Sequence, residues 1–236
     1  MTSEDGAEAP PAAPAGAAVV FGDRLGLAEH FVAVLADTGV SHGLVGPREV
    51  PRLWTRHVLN CAVVADAFPL AARVIDVGSG AGLPGLALAI ARPDLEIVLV
   101  EPMLRRVTWL EETVAVLGLS TVTVRRARAE DLQGRLQAEW VTARAVARLA
   151  RLARWCRPLI AAGGTLVALK GASAATELAE DQRELESLGL VEARITEHGS
   201  GVLDPATLTV DLRFGPAHGV VPHRTVPAGR PPRRRG

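Results

Sequence analysis

The stretch Arg73-Val74-Ile75-Asp76-Val77-Gly78-Ser79-Gly80-Ala81-Gly82-Leu83-Pro84-Gly85 constrains this chain more than any other. Val74, Ile75 and Val77 are β-branched and apolar, which suits a buried strand. The glycines after them accept backbone angles closed to other residues and put no Cβ between the main chain and a ligand. Leu83 onward reads as a helix with Pro84 in its first turn. A strand, a glycine turn and a helix N-terminus in series predict a nucleotide-like ligand over the turn.

The dinucleotide fingerprint G-x-G-x-x-G puts its third glycine where this chain has Leu83. Asp76, just before the first glycine, would repel a pyrophosphate and welcome a cationic aminoacyl group. The next apolar run, Ile97-Val98-Leu99-Val100, ends in Glu101. An acid at the end of a second strand can accept both ribose hydroxyls. Asp76, Gly78, Gly80, Gly82 and Glu101 together suit S-adenosylmethionine (SAM). Glycine turns also serve NAD(P)-dependent oxidoreductases, which stay a rival reading.

With 236 residues, the chain can bury one full core. Net charge is zero, so no global field draws it to nucleic acid and any such attraction must come from local clusters. Arginine far outnumbers lysine, as coding bias would produce, so single surface arginines carry little information. Cys61 and Cys156 lie in apolar runs and read as reduced core residues, neither a disulfide nor a metal site. The acidic, Pro/Ala-rich N-terminus does not look like a signal peptide, and no apolar run reaches membrane-spanning length. A cytoplasmic protein with no membrane partner is expected, and a monomer.

Residues 1–18 lack core-forming side chains and are expected to be a disordered tail. Residues 19–72 read as a helical layer, with apolar positions Leu25, Ala28, Phe31, Val32 and Leu35 and then Leu53, Trp54 and Val58. From 73 to 214 strands and helices alternate, which predicts a parallel sheet covered on both faces. A helix is expected over 147–160, and Gly163-Gly164 then introduces the strand 165–170. The ending differs: 191–197 and 207–214 both have strand character with only a Gly/Asp/Pro loop between them, so they should pair antiparallel. The expected fold is α/β, a Rossmann-like methyltransferase fold with a mostly parallel seven-stranded sheet, an antiparallel last strand and an N-terminal helical layer. Residues 215–236, ending in Arg233-Arg234-Arg235, read as a flexible basic tail.

Six segments then resemble one family in the same order along the chain. They are Arg56-His57-Val58-Leu59-Asn60, the Asp76–Gly85 turn with its Gly-Leu-Pro-Gly, Arg105-Arg106, Ala127–Glu130, Ala143–Ala147 and Ala168-Leu169-Lys170-Gly171. Together they are similar to the bacterial 16S ribosomal RNA guanine-N7 methyltransferases, the glucose-inhibited-division B family. The resemblance spans about residues 50–214, leaving out the first 45 residues and the tail. It implies cytoplasm, SAM, and methyl transfer to N7 of one guanine in the decoding region of 16S ribosomal RNA. The partner it implies is that RNA or the small ribosomal subunit. The family's cofactor site carries over to Gly78, Leu83, Ala129, Glu130 and Arg144. The family often has Asp where Glu101 stands.

Two charges are candidates for the reacting end. Arg144 interrupts an apolar strand, and a buried Arg is costly unless paired. Lys170 ends the next strand at an equivalent position. Either could grip guanine O6 or a phosphate; otherwise they are strand-end charges reaching water. Arg56 and His57 sit on a helix that could cover the site, although a lone histidine is usually a packed helix residue. N7 of guanine carries no proton, so no general base, nucleophile or metal is expected and the rate should be flat from about pH 6 to 9. The residues alone leave open a small-molecule methyltransferase or an RNA-binding protein without activity.

Overall fold

A computed structural model describes residues 10–144 and 147–216. Ala15–Phe21 is helix α1 and Leu25–Val34 is α2, followed by short helical turns over 35–58, α3 (Leu59–Ala62) and a last turn over 63–67. Then come β1 (Arg73–Val77), α4 (Gly85–Ala91), β2 (Glu96–Glu101), α5 (Leu104–Val116), β3 (Val122–Arg126) and β4 (Ala138–Arg144). The chain continues through α6 (Leu149–Cys156), β5 (Ile160–Lys170), α7 (Ala174–Ser187), β6 (Leu190–His198) and β7 (Thr207–Phe214).

The sheet has seven strands in the order β3-β2-β1-β4-β5-β7-β6. The first five are parallel, and β7 runs antiparallel to both β5 and β6. Chain order reverses on either side of β1, between β2 and β4, so β1 and the glycine turn after it lie at the switch point where such sheets bind ligands.

Side-chain alternation divides the core between the two faces. Val74, Ile97, Leu99 and Val167 pack with α2, α4, α5 and the helical layer. Ile75, Val77, Val98, Val100, Val141 and Val210 pack with α6 and α7. Long-range polar ties fix the helical layer to the sheet unit. Trp109 Nε1 donates to Thr38 Oγ1 at 2.9 Å, and Asn60 Nδ2 donates to Thr207 Oγ1 at 2.7 Å.

Three sequence expectations need correction. Residues 15–18 are not a disordered tail. They open α1, where Ala17 and Phe21 are buried and Phe21 meets Trp54 edge to face, while Trp54 Nε1 donates to the Pro11 carbonyl. Small residues were enough there because a larger partner, Trp54, supplies the apolar area. The helix expected over 147–160 is shorter, and β5 begins at Ile160, upstream of the glycines. At Gly164 a Cβ would stand 2.6 Å from the Glu139 carbonyl, so glycine there lets β5 approach β4 at a register shift instead of ending the strand. Gly215 is not part of a tail, since its amide donates to Gly189 O and its carbonyl accepts from Arg157. Residues 1–9 and 217–236, where the rest of the expected tails fall, lie outside the described residues.

Candidate active site

The glycine turn stands between two cavities. One, of about 740 Å³, is lined by Ser79, Ala81, Leu83, Arg144, Lys170, Glu177 and residues of the helical layer including Glu49, Arg56, His57 and Asn60. The other, of about 280 Å³, is lined by Val77, Gly78, Val100, Ala129, Glu130 and Trp155. The expected cofactor residues are therefore divided: Leu83 and Arg144 face the larger space, Gly78, Ala129 and Glu130 the smaller.

Gly78, Gly80 and Gly82 all have positive φ. They do different work. A Cβ on Gly80 would meet nothing closer than Gly78 O at 3.8 Å, so its backbone borders open space. A Cβ on Gly82 would collide with Leu86, so that glycine is required for packing.

Asp76 and Glu101 are both turned inward. Asp76 is fully buried, and its Oδ2 accepts from the Gly85 amide at 3.0 Å. Its expected place against the ligand is thus taken by the first turn of α4, whose free amide needs an acceptor. Asp76 Oδ1 has no partner. Burial pushes the carboxyl up to about 7, against hydrogen bonds from Gly85 and Ser79 and the Arg144 charge, which pull it down. Glu101 accepts from Gly80 N at 3.1 Å and from Met103 N at 3.0 Å, and only 1% of it is exposed. Rather than reaching into open space, its longer side chain braces the turn from beneath.

These features fit a cationic adenosyl cofactor. Asp76 does not touch either cavity, but it and Glu101 put acid groups beneath the turn, which suits a cation above it. An open glycine backbone admits close approach, and the smaller cavity offers an apolar slot between Val77, Val100 and Trp155.

In the larger cavity the two charges expected at the reacting end come together, each already partnered. Arg144 donates from Nη1 to Arg56 O at 3.0 Å and to Cys61 Sγ at 3.3 Å, and from Nη2 to His57 Nδ1 at 2.7 Å. Lys170 Nζ donates to Ala147 O and to Glu177 Oε2, both at 2.8 Å. Sequence reading missed Glu49 and Glu177. Glu177 carried a signal, being an acid one helical turn into a segment that begins beside Lys170; Glu49 carried none. Arg56 and His57 sit in a π-helical turn, Leu53–Val58, a wider winding often found at functional sites.

Residues 24–203 match the family described as rRNA small subunit methyltransferase G. The chain belongs to this family. The match begins well upstream of residue 50, so α2 and the turns after it are part of the family unit, contrary to the sequence expectation. The "Ribosomal RNA small subunit methyltransferase G" of Pseudarthrobacter chlorophenolicus is 52% identical over 82% of this chain and 89% of its own. The protein of the same name from Salinispora tropica is 50% identical over 94% of this chain and 93% of its own. A solved S-adenosyl-L-methionine-dependent methyltransferase of Methanococcus maripaludis, described as putative, superposes with a TM-score of 0.52 at 13% identity, covering 82% of this chain and 94% of that one. That likeness shows the Rossmann-like fold. Among the described residues no helix is long and apolar enough to cross a membrane.

Proposed function

We propose that this protein transfers a methyl group from SAM to N7 of one guanine in 16S ribosomal RNA, acting in the cytoplasm on that RNA or on the small subunit. The observation that carries the reading is that the family match, residues 24–203, contains every residue lining both cavities. SAM, when bound, supplies an electrophilic methyl group on a positively charged sulfur. N7 presents a lone pair and no proton, so no side chain has to remove one. The protein's part is alignment and electrostatics. Gly80 offers bare backbone to the cofactor, and Glu101 holds the Gly80 amide so that the turn keeps its shape. Gly78, Ala129 and Glu130, which line the smaller cavity, would hold the adenosyl end, and Leu83 with Arg144, which line the larger one, would border the methyl end. Arg144 and Lys170 bring donors to the space where guanine O6 or a flanking phosphate would lie. The target nucleotide has to be unpaired or splayed from its stack to reach that space.

The deciding experiment maps N7-methylguanine in 16S ribosomal RNA from cells with and without the gene. One modified guanine should disappear on deletion and return with the purified protein and SAM. An unchanged map rules the proposal out. We also propose that the basic residues after 217 are an accessory to RNA binding. Deleting residues 218–236 should leave SAM affinity unchanged, weaken RNA binding mildly and flatten its salt dependence. Loss of SAM binding on that deletion would place the segment inside the catalytic unit.

A further inference from the structure

The larger cavity holds a chain of hydrogen bonds that the transfer chemistry does not call for. Glu49 Oε2 lies 2.8 Å from His57 Nε2, and His57 Nδ1 lies 2.7 Å from Arg144 Nη2. A guanidinium can only donate. His57 Nδ1 must therefore be the acceptor, which puts the ring proton on Nε2, where it is donated to Glu49. The arrangement specifies one tautomer and one charge state: neutral imidazole, proton on Nε2. We propose that His57 is a positioning residue whose neutral form holds the Arg144 guanidinium at the reacting end, so that protonating His57 releases Arg144 and slows methyl transfer. This rests on the function proposed above.

The geometry explains why the link is specific. The His57 side chain is only 14% exposed, and it belongs to the helical layer, whereas Arg144 ends a central strand. A proton on Nδ1 would set an N–H against another N–H and a positive ring against a guanidinium. The charged groups facing His57 are Glu49 from the segment 47–52, Arg56 from its own turn and Arg144 from β4, with the Cys61 thiol on the far side of Arg144. Burial lowers the pKa of His57, the Glu49 hydrogen bond raises it, Arg144 lowers it further, and the balance falls below the ordinary 6.5. Folding thus favours the neutral ring. That contribution is present above 6.5 and is lost as pH falls through the lower folded value. Glu49 is held below 4.5, first by its hydrogen bond to His57, so it stays ionised across this window. Asp76 also titrates on the acid side, near 7, and the experiment has to separate the two.

The test is single-turnover methylation of small-subunit particles from pH 5 to 8, with nitrogen chemical shifts of the His57 ring measured in parallel on the full chain. The wild type should show a neutral ring protonated on Nε2 at pH 7.5 and a rate that falls on the acid side as pH drops through the lowered His57 value, where the N7 chemistry alone predicts no fall. His57→Asn keeps an acceptor near the Nδ1 position and cannot ionise; it should retain activity within about threefold and lose the acid limb. His57→Gln offers its amide near the Nε2 position instead. It should lose at least tenfold at pH 7.5 and add little further loss to Arg144→Ala, since both act through one guanidinium. An acid limb with unchanged midpoint and depth in His57→Asn belongs to Asp76 alone and overturns the proposal, as does a ring protonated on Nδ1. A wild type that binds SAM but methylates no guanine sinks the function proposal instead, and the ring shifts then decide this one alone.

Discussion

Gly80→Val should weaken SAM binding more than a hundredfold in calorimetry, about 2.7 kcal/mol, while the protein stays folded. The structure gives the reason for both halves. A Cβ at position 80 meets no protein atom closer than 3.8 Å, so the side chain enters the space beside the turn, where a ligand has to touch backbone. The cost to the fold is the left-handed backbone at φ 55°, about 1–2 kcal/mol for a residue other than glycine. Gly85→Ala is the opposite control. Its Cβ would run into the Leu99 side chain and stand 2.8 Å from Asp76 Oδ2, deep beneath the turn. That variant should lower Tm through overpacking, about 1–3 kcal/mol, and should lose SAM only as far as it loses structure. Wild-type SAM affinity in Gly80→Val would show that the turn does not carry the cofactor. NADH binding more tightly than SAM to the unaltered protein would turn the reading to an oxidoreductase.

The parts of this fold that the sequence made legible are those whose signal is local. The run 97–100 ending in Glu101 and the segment 207–214 are apolar or alternating and bounded by turn residues; the first lies within β2, which ends at Glu101 as expected, and the second is β7 with the expected limits. The absence of a helix between β6 and β7 was enough to foresee the antiparallel end of the sheet. Gly163-Gly164 misled because glycine marks a loop and a close strand approach equally well, and only the position of the Glu139 carbonyl tells them apart. Helix α1 was hidden because its stabilising partners, Trp54 and Val202, are remote in sequence.

The site divides along the same line. Arg144 and Lys170 stood out as charges in apolar strands, and both do line the larger cavity. Their pairing could not be read: Glu177 stood near Lys170 in the sequence, but only the fold turns Glu177 and His57 from other elements onto the two charges. Asp76 was legible as an acid at the turn, but spacing along the chain does not say whether its carboxylate meets a ligand or the amide of Gly85. Glu101 is the same case, with Gly80 and Met103 as the claimants.

Lys170→Ala should slow single-turnover methylation at least tenfold, about 1.4 kcal/mol of transition-state stabilisation, with SAM affinity unchanged. Lys170 is not a strand-end charge in water: its side chain is 10% exposed and its ammonium lies between Ala147 O and Glu177. Burial pushes the Glu177 carboxyl up, but the Lys170 and Ser173 hydrogen bonds and the Lys170 charge outweigh it and hold it below 4.5. That pairing contributes stability above pH 4.5 which is lost as pH falls through the folded value. Removing the lysine leaves Glu177 half-sheltered without its cation, so Lys170→Ala should also lower Tm, and the rate loss alone cannot separate a structural tie from a grip on RNA. Two further measurements separate them. A lysine that meets a phosphate contributes about 0.7–0.9 to the slope of log affinity against log salt, and Lys170→Ala should flatten the slope by that amount. In the double variant Lys170→Ala/Glu177→Gln no charge is left stranded and the amide oxygen can still accept from the Leu149 N–H, so Tm should recover while the rate stays low. A double variant that regains the wild-type rate would show that Lys170 serves only to neutralise Glu177, and that the cavity grips its RNA through other groups.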